Sequence, residues 1–394
     1  MGFLEVGITT YRHGKGKQCG LEGPAPGPIA QAEVASRLAT LYINGTHVRL
    51  QENVPLAPLT TLGVGGPARF LVEATTADEI REAIGHAKSH SLPLFVLGGG
   101  SNLVVSDAGW PGLVLKVAIR GINHRHGYGT AYFDAGAGED WDEFVAMTVL
   151  HNCAGIECLS GIPGSVGGTP VQNVGAYGQE VSDTIDSLLA LDLRTGEEEE
   201  FDKADCGFGY RTSIFNTREY GRYVILRVTY ALVHDGEPRL AYADLKKHFA
   251  DPARKPTLGE VRAAVRQIRA SKAMLITPGD EDSRSAGSFF KNPVLSAEKF
   301  DELRRRAAAR HLAIPSYPAL DAQKKISAAW LVENSGYPKG YSRGRVGISR
   351  KHALAIVNRG GATATEIVAL KDEIQRRVDE MWGVWLEPEP VFVR

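Results

Sequence analysis

The first regular pattern of apolar and polar positions predicts a strand over residues 68–74, a helix over 77–90 and a strand over 93–97. Strand, helix and strand within about thirty residues form a βαβ-type unit. Further strands are predicted over residues 113–119 and 130–135. This part of the chain is therefore expected to be mixed α and β.

The mixed pattern continues through the middle of the chain. A helix is predicted over residues 139–152, because Phe144, Val145 and Val149 recur at helical spacing. The strands predicted after this helix cover residues 185–193, 197–201 and 222–232. Four consecutive glutamates at 197–200 are interpreted as a solvated strand edge, and no metal site is expected there, because no histidine or aspartate cluster lies near them.

The pattern becomes mainly helical after residue 238. In the predicted helix over residues 258–271, Val261 and Val265 lie on one face and Arg262 and Arg266 on another, which makes the helix amphipathic. Further helices are predicted over residues 297–310, 328–334 and 363–382. We therefore expect a domain boundary between residues 234 and 240.

Residues 1–48 carry no clear periodicity, and the cluster of glycines and prolines at 20–28 breaks regular structure. We interpret them as a poorly ordered N-terminal extension, or as the product of a start codon placed too early. The globular part is expected to begin near Val48.

Two glycine-rich stretches interrupt the regular elements. Residues 161–178 contain six glycines and two prolines, and residues 98–100 are three consecutive glycines directly after a predicted strand. Exposed amides of successive glycines can approach a pyrophosphate closely. Neither stretch contains the GxGxxG of a Rossmann fold or the GK[ST] of a P-loop. The stretches favour a dinucleotide bound in another manner, and the alternative is a purely structural crossover loop.

Composition and charge narrow the function classes. The net charge of −1 provides neither a basic surface for nucleic acid nor a polybasic membrane patch. No apolar run reaches the length of a membrane span, and the N-terminus lacks a signal-peptide pattern. No two of the four cysteines have CxxC spacing, so we expect buried thiols in a reducing compartment. These features predict a cytoplasmic protein without nucleic-acid or membrane partners.

Three polar side chains are candidates for chemistry. Ser288 satisfies SxxK spacing, but the SDN and KTG of penicillin-binding enzymes are absent, so a serine acyl-enzyme is disfavoured. A hydroxyl on this turn could instead deliver a proton to a carbanion, or simply cap a helix. Arg211 lies among aromatic residues, which suits either a bidentate carboxylate site or plain stacking. Glu389 is followed by a proline that fixes its backbone, and it could equally be surface charge.

Seven motifs in this order and spacing make the chain resemble the UDP-N-acetylenolpyruvoylglucosamine reductase (MurB) family over residues 48–394. They are TLGVGGP at 61–67, GGGSN at 98–102, GIPGSVG at 161–167, QNVGAYG at 172–178, YRTSIF at 210–215, GSFFKNP at 287–293 and WLEPE at 385–389. The AYADL segment at 241–245 further resembles type I members. Two departures are Thr60, where many relatives have asparagine, and a longer segment between Lys272 and Ser288.

The resemblance implies an α+β protein with a two-part FAD-binding domain of the PCMH/vanillyl-alcohol-oxidase type and a MurB-type α+β substrate-binding domain. The implied boundaries are 49–120 and 121–236 for the FAD-binding subdomains and 237–394 for the substrate domain. The implied enzyme uses NADPH to reduce non-covalent FAD, which then reduces the enolpyruvyl ether of a UDP-sugar to UDP-N-acetylmuramate for peptidoglycan synthesis. A monomer or weak dimer is expected.

The resemblance also assigns site residues by position. Ser288 is expected to donate a proton, and Arg211 and Glu389 to stabilise an enolate. Substrate-binding positions are Tyr210, Tyr242, Lys272 and Asn292. FAD-binding positions are Thr61, Gly98, Gly99, Gly100, Ser101, Asn102, Gly161, Gly164, Ser165, Gly168, Asn173, Gly175 and Ala176. The alternatives are another flavin enzyme of the same FAD-binding fold, such as an oxidase of sugars or hydroxy acids, and a nucleotide-sugar sensor without turnover.

Overall fold

A computed structural model describes residues 38–43, 46–251, 254–319 and 322–394. The strands are β1 (Leu38–Ile43), β2 (Thr46–Pro55), β3 (Pro67–Ala74), β4 (Leu94–Leu97), β5 (Leu103–Val105), β6 (Trp110–Val117), β7 (Ile122–His126), β8 (Thr130–Gly136), β9 (Cys153–Ala154), β10 (Gly175–Ala176), β11 (Gln179–Glu180), β12 (Ile185–Asp192), β13 (Glu198–Asp202), β14 (Tyr223–His234), β15 (Val294–Leu295), β16 (Ser316–Pro318), β17 (Lys324–Ile326), β18 (Ser342–Arg343), β19 (Val346–Ile348), β20 (Ile356–Asn358) and β21 (Val391–Val393). The α-helices are α1 (Ala77–Ser89), α2 (Trp141–Leu150), α3 (Ala243–His248), α4 (Leu258–Ser271), α5 (Ala297–Ala308), α6 (Ala328–Glu333) and α7 (Ala364–Trp382).

The first sheet has the strand order β1-β2-β3-β6-β4. Strands β3 and β4 are both parallel to β6, which lies between them. The two strands of the predicted βαβ unit are therefore separated by a third strand. Helix α1 begins where the Thr76 hydroxyl accepts a hydrogen bond from the Glu79 amide, and its buried face includes Ile80 and Ile84. The predicted domain start near residue 48 falls inside β2, and residues 1–37 lie outside the described residues.

The second sheet is antiparallel and has the order β13-β12-β14-β8-β7, with β9 paired to β14. Helix α2 packs on it through Trp141 and Phe144, whose rings contact the fully buried ring of Tyr230. The Tyr230 hydroxyl lies 2.7 Å from the Thr169 hydroxyl, which satisfies its polar end. Buried residues of both sheets belong to one hydrophobic core, so the two predicted FAD-binding subdomains pack as a unit.

Helices α3 and α4 pack beside this core although they follow the predicted boundary at residue 236. Leu245 and Val265 are buried against Cys158 and Tyr177, which belong to the glycine-rich half of the chain. Residues on both sides of the predicted boundary at residue 236 therefore share this smaller hydrophobic cluster. Cys153, Cys158 and Cys206 are free and buried, whereas Cys19 lies outside the described residues.

The C-terminal part has its own core, which includes Phe289, Ile367 and Trp382. It is tied back to the first part of the chain, because β21 pairs in parallel with β5. The Asp107 carboxylate also accepts hydrogen bonds from the first amides of α7, at Ala364 and Thr365. Among the described residues, no helix combines the length and the apolarity needed to cross a bilayer.

Candidate active site

A cavity of about 1670 Å³ opens between the two glycine-rich loops and the C-terminal part. Its walls contain residues of both loops, of the 210–225 region, of the 283–292 turn and of the last strand. Of the FAD-binding positions predicted from the sequence, those that line the cavity are Gly98, Gly99, Gly100, Ser101, Asn102, Gly164, Ser165, Gly168, Gly175 and Ala176. The predicted catalytic and substrate-binding residues line it too: Ser288, Arg211, Glu389, Tyr210, Tyr242, Lys272 and Asn292.

The two glycine loops pack directly on each other. A Cβ on Gly99 would lie 2.5 Å from the Gly164 Cα, and one on Gly100, at φ +65°, would lie 1.8 Å from the Leu59 carbonyl oxygen. The glycine at position 99 is therefore needed for contact between the loops. The result is a cradle walled by backbone, which fits the pyrophosphate of a dinucleotide.

Three predicted FAD-binding positions do not line the main cavity. Thr61 lines a smaller neighbouring cavity and donates its hydroxyl to the carbonyls of Ser101, at 3.1 Å, and Ser285, at 2.8 Å. The carbonyl of Gly161 accepts a hydrogen bond from Arg269. Asn173 is 1% exposed, and its side-chain amide donates to the Glu180 carboxylate and the Gly209 carbonyl, while its side-chain oxygen accepts from the Ser182 amide. In the described contacts these residues brace the cavity wall.

Arg211 and Glu389 form a polar pair in the cavity wall. Arg211 Nε lies 3.7 Å from Glu389 Oε2, and the guanidinium also donates to the Gly175 carbonyl at 2.7 Å. Burial raises the pKa of Glu389, although the neighbouring Arg211 acts in the opposite direction. Arg211 adopts a left-handed backbone at φ +59°, a strained conformation that is often found at functional sites.

Ser288 lies beside this pair because two backbone segments run next to each other. The Glu389 amide donates to the Phe289 carbonyl at 3.0 Å, and the rings of Phe289 and Phe290 are buried in the C-terminal core. Ser288 Oγ lies 3.0 Å from Nε2 of His352, which also lines the cavity. The serine is therefore a cavity residue on an anchored turn, and it caps no helix among the described elements.

The four predicted substrate-binding residues are each held by neighbours. The Tyr210 ring has the Lys325 ammonium 3.8 Å from its centroid. Lys272 pairs with Asp244 at 2.6 Å, and although burial alone would lower the pKa of Lys272, this hydrogen bond and the neighbouring tyrosines raise it. The Tyr242 ring lies edge-to-face with the Tyr177 ring, with 5.3 Å between the ring centroids. The Asn292 side-chain oxygen accepts a hydrogen bond from the Ala328 amide at 2.9 Å.

Comparison with known proteins decides the family. Residues 68–202 match an FAD binding domain, and residues 278–393 match the C-terminal domain of UDP-N-acetylenolpyruvoylglucosamine reductase. The reductase of that name from Thermobifida fusca is 44% identical over 347 residues, covering 86% of this chain and 97% of the relative. The one from Streptomyces coelicolor is 46% identical, covering 86% and 89%. The chain belongs to the UDP-N-acetylenolpyruvoylglucosamine reductase family.

A solved structure agrees with this assignment. The UDP-N-acetylenolpyruvylglucosamine reductase (MurB) of Thermus caldophilus is 25% identical, with a TM-score of 0.58, and the match covers 91% of this chain and all of that one. Family membership confirms the predicted fold class and the predicted reductase activity. It also confirms the predicted FAD cofactor and NADPH as the hydride donor. The family's C-terminal model begins at residue 278, after α3 and α4.

Among the cavity residues that were not predicted from the sequence, Lys325 and His352 contact predicted site residues. Lys325 lies above Tyr210, and burial, followed by the positive charge of Arg211, lowers its pKa. His352 contacts Ser288. Lys325 follows another lysine, and His352 follows Arg350 and Lys351. From the local sequence alone, each therefore resembles a charged residue exposed to solvent. Only tertiary packing brings them to the site of this reductase.

Proposed function

We propose that this cavity reduces the enolpyruvyl ether of UDP-N-acetyl-3-O-(1-carboxyvinyl)glucosamine to UDP-N-acetylmuramate, in peptidoglycan precursor synthesis. One observation carries the proposal: Ser288, Arg211 and Glu389 come from three distant segments and line the same cavity as the two glycine loops. A protein that only bound a nucleotide sugar would have no need of a proton donor beside a cation and a half-buried carboxyl group.

The two glycine loops would hold FAD, which would supply the hydride chemistry between NADPH and the outer alkene carbon of the substrate. The remaining tasks fall to the side chains of the cavity. Hydride addition leaves negative charge that spreads into the substrate carboxylate. The Arg211 guanidinium is fixed by the Gly175 carbonyl and Glu389, so it meets that charge without reorganising.

Glu389 is the second group placed to stabilise the enolate. Its raised pKa favours the protonated form, and a protonated carboxyl can donate a hydrogen bond to an enolate oxygen. The Asn102 amide donates to the Glu389 backbone carbonyl at 3.1 Å and to the Gln172 side chain at 2.7 Å. These bonds fix Glu389 relative to the first glycine loop, so hydride arrival and enolate stabilisation are aligned.

Ser288 delivers the proton to the carbon that bears the carboxylate. The serine O–H bond breaks as the new C–H bond forms, and the neighbouring backbone bond between Phe289 and Glu389 holds donor and enolate stabilisers together. A correctly placed general acid typically contributes about 10²–10⁴-fold to a rate.

The other end of the cavity suits the UDP-sugar. Tyr242 and Tyr177 present rings for stacking. Lys272 offers an ammonium group to a diphosphate, and because Asp244 already pairs with this ammonium, the diphosphate would share it with Asp244. Asn292 contributes a fixed amide. We assign FAD binding to residues 49–120 and 121–236 and substrate binding to 237–394, with α3 and α4 connecting the two. A cytoplasmic monomer or weak dimer suits a small-molecule substrate.

The proposal is tested by anaerobic spectroscopy of the purified protein. NADPH should bleach the oxidised flavin band, and UDP-N-acetylenolpyruvoylglucosamine should then restore it with formation of UDP-N-acetylmuramate. A flavin that only oxygen reoxidises would indicate an oxidase of the same fold. A substrate that binds without restoring the band would indicate a sensor, and either result would refute the proposed reaction.

A further inference from the structure

His352 is the nearest described side-chain partner of the Ser288 hydroxyl. The two atoms, Ser288 Oγ and His352 Nε2, lie 3.0 Å apart, and both residues line the cavity. We propose that His352 is a positioning residue that donates its Nε2–H to Ser288 Oγ and so directs the serine proton toward the substrate. This inference rests on the reaction proposed above.

The direction of the hydrogen bond follows from the proton inventory of the two groups. A serine hydroxyl has one proton and two lone pairs, and a neutral imidazole has one N–H and one acceptor nitrogen. If Nε2 accepted the serine proton, that proton would point at the histidine and could not reach a carbanion. If Nε2 carries the hydrogen, the serine proton stays available for the substrate carbon. Proton donation therefore requires the Nε2–H form.

The surroundings keep the imidazole neutral. Burial lowers the pKa of His352 to about 4, and the positive charges of Lys272 and Lys339 act in the same direction. At neutral pH the ring therefore holds a single N–H. After the serine O–H has given its proton to the substrate carbon, the alkoxide oxygen accepts the hydrogen bond from Nε2–H and regains a proton from water. The bond is stronger to the alkoxide than to the neutral hydroxyl, so it lowers the barrier.

The backbone holds serine and histidine at fixed separation. The Phe289 amide, next to Ser288, donates to the Leu354 carbonyl at 2.8 Å, two residues after His352. An isolated bridge between Ser285 and Val357 extends this contact. The two segments therefore lie side by side on both flanks of Ser288 and directly after His352, and the imidazole is placed before any substrate arrives.

The longer segment before Ser288 supplies the second anchor. Asp280 pairs with Lys351 at 2.7 Å, and the fully buried Asp282 accepts from both the backbone amide and the side chain of Arg350 at 3.1 Å. Arg350 and Lys351 immediately precede His352. Asp280 and Asp282, in the segment between Lys272 and Ser288, thus hold the histidine segment in place.

The test uses His352→Leu and His352→Gln in the FAD-loaded full-length enzyme, with stopped-flow measurement of each half-reaction. Anaerobic flavin reduction by NADPH should stay within about twofold of wild type. Reoxidation by the enolpyruvyl substrate should slow by roughly 10- to 100-fold in His352→Leu, the range for losing a hydrogen bond to a charged group. His352→Gln should recover part of the rate, because its amide can donate. His151→Leu, which changes an exposed histidine outside the cavity, is the matched control.

A double-mutant cycle with Ser288→Ala separates positioning from a general structural effect. Without the serine hydroxyl, His352→Leu should slow reoxidation no further. An equal slowing in the presence and absence of Ser288, an equal slowing of both half-reactions, or a wild-type rate in His352→Leu would each overturn the inference. Failure of the proposed function is distinguishable, because the reduced wild-type enzyme would then not be reoxidised by this substrate at all.

Discussion

Replacing Gly99 with alanine should weaken FAD binding by separating the two glycine loops. The added Cβ would lie 2.5 Å from the Gly164 Cα, 2.6 Å from the Gly164 carbonyl carbon and 2.8 Å from the Ser165 amide nitrogen. Carbon atoms pack at about 3.5–4.0 Å, so the loops must move apart by about 1 Å. All three contacts are to backbone atoms, so no side-chain rotation relieves them.

The expected size follows from this geometry. Forcing a methyl group into a tightly packed site costs about 1–3 kcal/mol. If the loops adopt their packed arrangement only with FAD bound, that cost appears in the FAD dissociation constant, which should rise by about 5- to 150-fold because each 1.4 kcal/mol is tenfold. Gly98→Ala is the matched control in the same loop. Its Cβ would lie 3.0 Å from the Ser165 Oγ, a side-chain atom that can rotate away.

FAD content after purification and titration of the apoprotein by flavin fluorescence measure the effect. Gly99→Ala should purify pale and regain flavin only at raised FAD concentration, while Gly98→Ala should stay close to wild type. Wild-type affinity in Gly99→Ala would show that the contact between the loops does not support the flavin site. Equal weakening in both variants would refute the steric argument and favour direct contact of the loop with the ligand.

Three further predictions concern the chemistry. Ser288→Ala should leave flavin reduction by NADPH unchanged and slow reoxidation by about 10²–10⁴-fold, with partial recovery in Ser288→Cys, as stopped-flow traces would show. Tyr242→Ala should raise the substrate KM by about 3- to 10-fold, from stacking worth about 0.5–1.5 kcal/mol, with flavin reduction unaffected. The free energy of unfolding of the wild-type protein should fall relative to that of Glu389→Gln as pH rises through the raised pKa of Glu389, as urea unfolding would measure.

Each of these has an outcome that contradicts it. Equal slowing of both half-reactions in Ser288→Ala would indicate damaged flavin geometry. An unchanged KM in Tyr242→Ala would place this tyrosine away from the bound nucleotide. The sign for Glu389 is fixed: a carboxyl whose folded pKa is raised contributes stability below its unfolded pKa and loses it as pH rises. A stability difference between wild type and Glu389→Gln that stayed constant with pH would show that burial does not perturb this group.

The sequence was most informative where structure depends on local pattern. Helix α4 has the predicted bounds, 258–271, because Val261 and Val265 form one apolar face and Thr257 caps the first turn. The position of α4 was not predictable, because its apolar face could pack against either neighbouring domain. It packs on Cys158 and Tyr177, and Asp142 pairs with its outer arginines, Arg262 and Arg266.

The candidate site shows the same difference between what local sequence predicts and what tertiary contacts determine. The sequence motifs identified Ser288, Arg211 and Glu389, but they do not show which neighbouring residues set the protonation of these three side chains. His352 and Lys325 reach the cavity only through contacts between residues far apart in the chain. Thr61 and Asn173 belong to the matching motifs, yet they act on backbone carbonyls and neighbouring side chains rather than lining the main cavity. A motif position thus predicts proximity to a site, and the contacts determine its role.

The return of the chain to its first half explains how one cavity serves two half-reactions. Strand β21 pairs with β5, directly after the first glycine loop, and Asn102 at the end of that loop donates to the Glu389 carbonyl. On its other side the Glu389 backbone is bonded to Phe289, the neighbour of Ser288. Glu389 and Ser288, the proposed enolate stabiliser and proton donor, are therefore fixed to the glycine loop that is proposed to hold FAD. Because these links are hydrogen bonds to backbone groups and a two-stranded parallel sheet, a shift of the loop should also shift Glu389 and Ser288, so flavin placement and proton delivery are expected to be coupled.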